Sequence, residues 1–415
     1  MRYRIVMTRN RLDAMKFARP AALSLVFLGS MTLAGQACPP PTPWSKYATD
    51  STSISIFPGC EFAANSWVFT DLVNHPPVVD PNSAKYVNSL LNQMQIYFGA
   101  GAPTADINIV GSPPIYLAGP RAPTESVYSP DSYLASFWTA VPIPSNFAPA
   151  PDSDAEALIY QQSTNTLWEF WLLSRSGSNV TNSAGKSTPG WRANWGGRMQ
   201  NVNANPGYWI TDSTGYKFGA YASGVPVLAT SITLHDVMTG HINHPLALEI
   251  PNPAAGVYSF PAQRTDGGDT SPDAIPEGTI FFLPADVDTS ARAIPDPLAR
   301  MVAQAAQHHG IIVADYANAI MLRAENPGPN YPGWAAAHMG GSPRGHNSDP
   351  WTSPGGVLNC PDYTGPESCW PITHMQGVPW AKMQVETLQL QTVSYAKAIP
   401  GKPAAMGQMP SRRWY

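Results

Sequence analysis

The chain has no surplus of positive charge. It carries 24 Lys and Arg against 28 Asp and Glu, a formal net charge of −4. That balance argues against nucleic acid or an anionic membrane surface as a partner. Charge of either sign is sparse, at 13% of 415 residues. No Gly-x-Ser-x-Gly nucleophile elbow is present, so the usual serine-hydrolase signature is missing. No glycine-rich loop stands between a strand and a helix, so no dinucleotide or phosphate cradle is expected and no cofactor is assigned. There is no internal repeat and no long low-complexity linker. After Leu33 no apolar run is long enough to span a bilayer. Cysteine is limited to Cys38, Cys60, Cys360 and Cys369.

Proline (44), tryptophan (13) and tyrosine (17) are plentiful instead. Turn formers and aromatics with little charge suit a secreted, mainly β protein. The start of the chain points the same way. Arg2, Arg4, Arg9, Arg11, Lys16 and Arg19 form a basic region, Ala21 to Leu33 an apolar run, and Gly35-Gln36-Ala37 a small-x-small cleavage pattern. Residues 1–37 therefore read as a secretory signal peptide. Four cysteines in an exported chain read as two disulfides, with three pairings possible. The local pairs Cys38–Cys60 and Cys360–Cys369 are favoured. A lipidated Cys38 is the rival, although Leu33 to Ala37 departs from the lipobox pattern.

The expected organisation is one domain over 38–325, an antiparallel jelly-roll-like β-sandwich with two peripheral helices. A Pro/Gly/Trp-rich segment, 326–415, would wrap it. The first helix starts at Asp80-Pro81-Asn82-Ser83 and carries Ala84, Val87, Leu91, Met94 and Phe98 at helical spacing to Gly99. The second has Asp296 as N-cap, Pro297 at its first turn and Gly310 as its stop. Thr233 and Asp236 have the spacing of a capping box. Strands are expected at Ala155 to Tyr160, Leu167 to Leu173, Leu134 to Val141 and Val385 to Val393. A hairpin of Ile311 to Asp315 with Ala319 to Arg323 is also expected.

The densest chemistry lies in Asp152-Ser153-Asp154-Ala155-Glu156, followed by Leu167-Trp168-Glu169-Phe170-Trp171. On an extended strand Asp152, Asp154 and Glu156 would share a face. A tight connection through Ser163-Thr164-Asn165 would bring back Glu169 between two tryptophans. Two carboxyls beside flat indole rings are what cleavage of a sugar polymer uses: one donates a proton, the other attacks or activates water. Candidate catalytic residues are Glu169, Asp154, Asp152 and His244. Candidate substrate contacts are Trp168, Trp171, Trp191, Arg192, Trp195, Arg264 and Asp266. The plainer reading is that the aspartates cap a turn and the tryptophans fill a core. His235, His241 and His244 invite a metal reading. Gly240 and Pro245 bracket the last two, and on a strand they point to opposite faces, so no metal is assigned. His308 and His309 close a helix, where they favour its dipole.

Gly224-Val225-Pro226-Val227-Leu228, Gly240-His241-Ile242-Asn243-His244-Pro245-Leu246, Pro261-Ala262-Gln263-Arg264 and Pro276-Glu277-Gly278 carry a resemblance. The chain resembles a family of secreted bacterial proteins with a GxIxHAL-type segment, over roughly Asp80 to Asn326. Pro245 stands where that pattern has alanine. The resemblance implies a place among polysaccharide-degrading secreted proteins and interest in His244, Glu169 and Arg264. It names no reaction. The expected function is a secreted glycoside hydrolase acting on a polysaccharide or oligosaccharide. A carbohydrate-binding or adhesion protein and a polysaccharide lyase remain as alternatives.

Overall fold

The structure, a computed structural model, describes residues 61–109, 111–145, 147–181, 187–210, 218–326, 328 and 374–392. The expected signal peptide and all four cysteines lie outside the described residues.

Helices form where their ends are marked. α1 spans Ser83–Phe98 and stops at Gly99, whose φ of 83° suits glycine. α2, Ser132–Phe137, replaces part of the strand expected at Leu134 to Val141. The Asp131 side chain accepts from the Tyr133 and Leu134 amides at 2.9 and 3.3 Å, a cap that starts a helix here. α3, Leu234–Thr239, carries the full Thr233/Asp236 capping box and ends at a left-handed Gly240. α4, Pro297–His308, is capped by Asp296, which accepts from the Ala299 amide at 2.8 Å.

The fold is mainly β. Its largest sheet has six strands in the order β1 (Asp106–Asn108), β16 (Met321–Arg323), β11 (Leu246–Ile250), β15 (Ile311–Tyr316), β14 (Ile280–Phe282) and β17 (Gln384–Val385). A second sheet orders β10 (Trp195–Gln200), β7 (Thr166–Trp171), β6 (Ala157–Gln161) and β2 (Ile115–Leu117). Three small sheets join β13 (Ile275–Glu277) with β12 (Pro253–Ser259) and β18 (Leu390–Thr392); β3 (Thr124–Glu125) with β5 (Val141–Pro142); and β4 (Val127–Tyr128) with β9 (Ser187–Arg192) and β8 (Ser174–Thr181).

Two expectations change here. The pairs β1–β16, β11–β15, β12–β13, β2–β6 and β4–β9 are parallel, which an antiparallel jelly roll does not contain. β15 and β16 do not form a hairpin either. They flank β11 on opposite sides, parallel and antiparallel to it respectively.

The six-stranded sheet is covered on both faces, so its central strands read as nearly unbroken apolar runs. Leu246, Leu248, Ile250, Ile311 and Val313 pack with Leu90 and Met94 of α1 and Leu298 and Val302 of α4. Ala247, Ile312 and Ala314 face the other way, into a cluster built from Leu158, Phe170 and Met199 of the second sheet. Burial of each large aliphatic side chain contributes roughly 1.5–3 kcal/mol before its ordering cost. Along β11 and β15 the register runs Leu248 opposite Val313 and then Glu249 opposite Asp315. Ala314 is therefore an extra residue, a β-bulge. It resets the alternation and leaves Asp315 beside Glu249.

Candidate functional site

Glu169 lies within β7 and is fully buried. The hairpin that carries it forms as expected, with β6 and β7 antiparallel and Asn165 left-handed at the turn. Its carboxylate is taken up by main chain. Oε1 accepts from the Val227 and Leu228 amides at 2.8 and 3.4 Å, and Oε2 from Ala220 at 3.2 Å. Burial still dominates and pushes its pKa up to about 7, against those three amides and the Arg264 charge. Glu169 thus anchors the 220–228 segment from inside. It does not pair with the Asp152–Asp154 turn: the charge acting most on it is that of Arg264.

Asp152, Asp154 and Glu156 do not stand in a row. β6 begins only at Ala157, and Ala155 has a φ of 43°, which breaks the extended run. Asp152 Oδ1 accepts from the Ala155 amide at 2.9 Å, the expected turn cap. Asp152 is also pushed up to about 6, first by burial and next by the charge of Asp154, with Arg323 opposing. Asp154 Oδ1 accepts from the Trp171 indole N–H at 3.1 Å. Glu156 turns inward onto Arg323. Both aspartates remain partly open, whereas Glu156 is buried.

The tryptophans divide by role. Trp168 and Trp191 are core residues. Trp171 and Trp195 are half-buried and stand directly opposite each other on β7 and β10. Trp171 holds Asp154; the Trp195 ring lies 5.2 Å from the Arg264 guanidinium. Arg192 is exposed. Arg264 spans the loop below: Nε donates to the Ala222 carbonyl at 2.6 Å, and Nη2 to those of Gly219 and Tyr221 at 3.0 and 2.7 Å.

Beyond this turn lies a larger set of acids. Arg323, fully buried, bridges Glu156 and, at 3.0 Å, Glu249. Glu249 is raised well above the ordinary carboxylate range by burial and by the charges of Asp315, Asp154, Asp152 and Asp266. Asp315 is raised in the same way, although the Ala222 and Tyr316 amides donate to it at 3.0 and 2.8 Å. One carboxylate oxygen from each of Asp266, Glu277 and Asp315 lies within 4.8 Å of the others. Glu277 is wholly buried, and neither of its oxygens meets a donor in hydrogen-bonding geometry. Its pKa is raised well above the usual range by burial and by Asp266 and Asp315, while Thr265 and Arg264 favour the ionised form. Asp266 is exposed as a residue, so this end opens to solvent; crowding around its carboxyl still raises its pKa. At an effective dielectric of about 20, two like charges near this spacing repel by about 3 kcal/mol. Three full negative charges need compensation here, by protons or by a cation.

Gly278 helps place Glu277. Its φ is 85°, its amide donates to the Val313 carbonyl at 2.7 Å, and a Cβ there would overlap the Ser259 carbonyl.

His244 belongs to a different unit. Its Nε2 meets Asp236 at 3.0 Å and its Nδ1 the Pro245 carbonyl at 2.9 Å. Contacts on both nitrogens fix the ring in place; burial pulls its pKa down, and Asp236 outweighs that to leave it raised. Asp236 also closes the α3 capping box, so His244 serves that helix start. His241 is exposed and shares no metal geometry with it. His308 reaches Asp71 at 3.0 Å and His309 the Thr70 carbonyl at 3.1 Å. A hollow of about 340 Å³ beside the end of α1, lined by Leu91, Met94, Gln95 and Gly99, holds no titratable side chain.

Sequence reasoning named Asp152, Asp154 and Asp266 but missed Glu249, Glu277, Asp315 and Arg323 as site residues. A signal was there: in a chain so poor in charge, Leu246-Ala247-Leu248-Glu249-Ile250, Ile311-Ile312-Val313-Ala314-Asp315 and Met321-Leu322-Arg323-Ala324 each place one charge in an apolar strand. Compared with known proteins, the chain matches no family model, no curated protein and no solved structure.

Proposed function

We propose that the chain is an exported glycoside hydrolase acting on a polysaccharide, with Asp152 as proton donor and Asp154 as its partner carboxyl. The observation that carries this reading is Asp152 itself, half-buried in the turn beside Asp154. It is raised to about 6, first by burial and next by the charge of Asp154, so below that pH it can hold a proton for a leaving group. The Trp171 indole holds Asp154, and Trp195 stands opposite Trp171, so two half-buried rings offer a sugar its apolar faces. In this reading Glu169 and Arg264 position the 219–228 loop, and Arg192 lies at the rim for a hydroxyl or carboxylate. The described residues hold no helix long and apolar enough to cross a membrane.

The test is incubation with a panel of polysaccharides and assay of new reducing ends. Asp152→Asn should lower kcat by roughly 10²–10⁴-fold. In the wild type, kcat/KM should fall as pH rises through about 6, where Asp152 loses its proton. Asp154→Asn should cripple turnover and move that limb to lower pH, because the charge raising Asp152 is gone. Full activity in Asp152→Asn would sink the assignment. Binding without new ends would support a carbohydrate-binding protein instead, and an unsaturated, absorbing product a lyase.

A further inference from the structure

We infer that Asp266, Glu277 and Asp315 form a binding site for one hard divalent cation of the calcium class. The site is independent of the glycan reading.

Two observations meet. The three carboxylates come from separate parts of the chain, yet present oxygens within 4.8 Å of one another. Oxygens arranged around Ca²⁺ at 2.3–2.6 Å lie at most about twice that distance apart, so the spacing matches a shared calcium sphere. Mg²⁺, which keeps several waters and takes one or two carboxylates, suits a three-carboxylate set less well. Independently, Glu277 is wholly buried and neither of its oxygens meets a donor in full hydrogen-bonding geometry among the described residues; the polar side chains acting on it are Thr265 and the acid Asp266 itself. A buried carboxylate is otherwise held by several donors, and a cation would supply what is missing.

Of the nearby arginines, Arg264 donates to the Gly219, Tyr221 and Ala222 carbonyls, and its charge offsets Asp266 and Glu277 only in part, since both stay raised. Arg323 sits between Glu156 and Glu249. The donor set contains oxygen only, with no thiolate or imidazole, which selects calcium or magnesium over zinc or copper. Asp315 is pre-oriented by two amides, and each of its oxygens keeps a free lone pair. Asp266, exposed, gives the ion its entry.

The experiment uses the full chain after exhaustive chelation, titrated at pH 7.5 with Ca²⁺ and Mg²⁺ by calorimetry, with Tb³⁺ luminescence as a second probe. Expected are one saturable Ca²⁺ per chain, weaker Mg²⁺, and a Tm rise of roughly 5 °C at hundredfold excess over Kd. Asp266→Asn, a change at the open end that leaves the core intact, should weaken Ca²⁺ at least tenfold. Glu277→Gln should do the same, and Asp288→Asn, an exposed acid outside the cluster, should change nothing. No saturable binding of Ca²⁺ or Mg²⁺, or equal Ca²⁺ affinity in wild type and Asp266→Asn, overturns the assignment. Loss of glycan cleavage in Asp152→Asn with Ca²⁺ binding intact would separate this site from the catalytic reading.

Discussion

Glu169 shows how far an acid's neighbours in sequence can mislead about its task. Its place between Trp168 and Trp171 marked it for attention, yet its carboxylate is consumed by the Ala220, Val227 and Leu228 amides. Glu169→Ala strands three buried donors and removes an anchor of the 220–228 segment. The expected loss is about 2–4 kcal/mol of stability by urea denaturation; a loss below about 1 kcal/mol would mean that solvent or a neighbour replaces it. Trp168 and Trp191 mislead similarly, because an indole that fills a core and one that lines a groove look alike in sequence. Asp152 was easier to read, since a carboxyl that accepts from the amide three residues on, here Ala155, closes a turn in the ordinary way.

Local elements were the most legible. α1, α4, the α3 capping box and the β6–β7 hairpin all rest on contacts within a few residues. Asp296 illustrates the size of such a contact. It caps α4 through Ala299 and meets His374 at 2.5 Å on its other oxygen, tying a distant segment to the helix start. Asp296→Ala should cost about 1 kcal/mol for the cap, with an added loss from His374. Thermal unfolding checks it, and His374→Ala in the same background should then add little. The placement of β15 and β16 around β11 was not legible. Short apolar strands joined by Tyr316-Ala317-Asn318 suggest a hairpin, and only packing against β11 decides otherwise. The Ala314 bulge also leaves no local trace.

At the scale of the molecule, the many raised acids set the pH response. Asp152, Glu169 and Glu325 stand at about 6, 7 and 8, above ordinary values of 3.8, 4.5 and 4.5. Glu249, Glu277 and Asp315 are likewise raised well above their ordinary values, first by burial. A raised acid makes the folded chain bind protons more tightly than the unfolded one. Its stabilisation is complete below the unfolded pKa and is lost as pH rises through the folded value. His244, also raised, follows the same sign. For Glu169 alone the change is roughly 3 kcal/mol. His309, lowered to about 4 mainly by burial, opposes at the acid end: its contribution is present above about 6.5 and is lost as pH falls through 4. Tm should therefore peak near pH 5 and fall toward pH 8 without added metal. A Tm that rises between pH 5 and 8 would contradict the protonated-acid picture. The segment 374–392 belongs to this whole as well: it supplies an edge strand to each of two sheets instead of only wrapping them.

The single extra residue at Ala314 makes the length of this strand a matter of phase. Deleting Ala314 itself would leave a regular strand with Asp315 still opposite Glu249, because the bulge is all that residue adds. Adding one residue before it, with the bulge kept, would instead turn the aliphatic side chains of β15 from one cluster to the other. A shortened strand is thus the milder of the two changes, and a lengthened one would have to rebuild both cores.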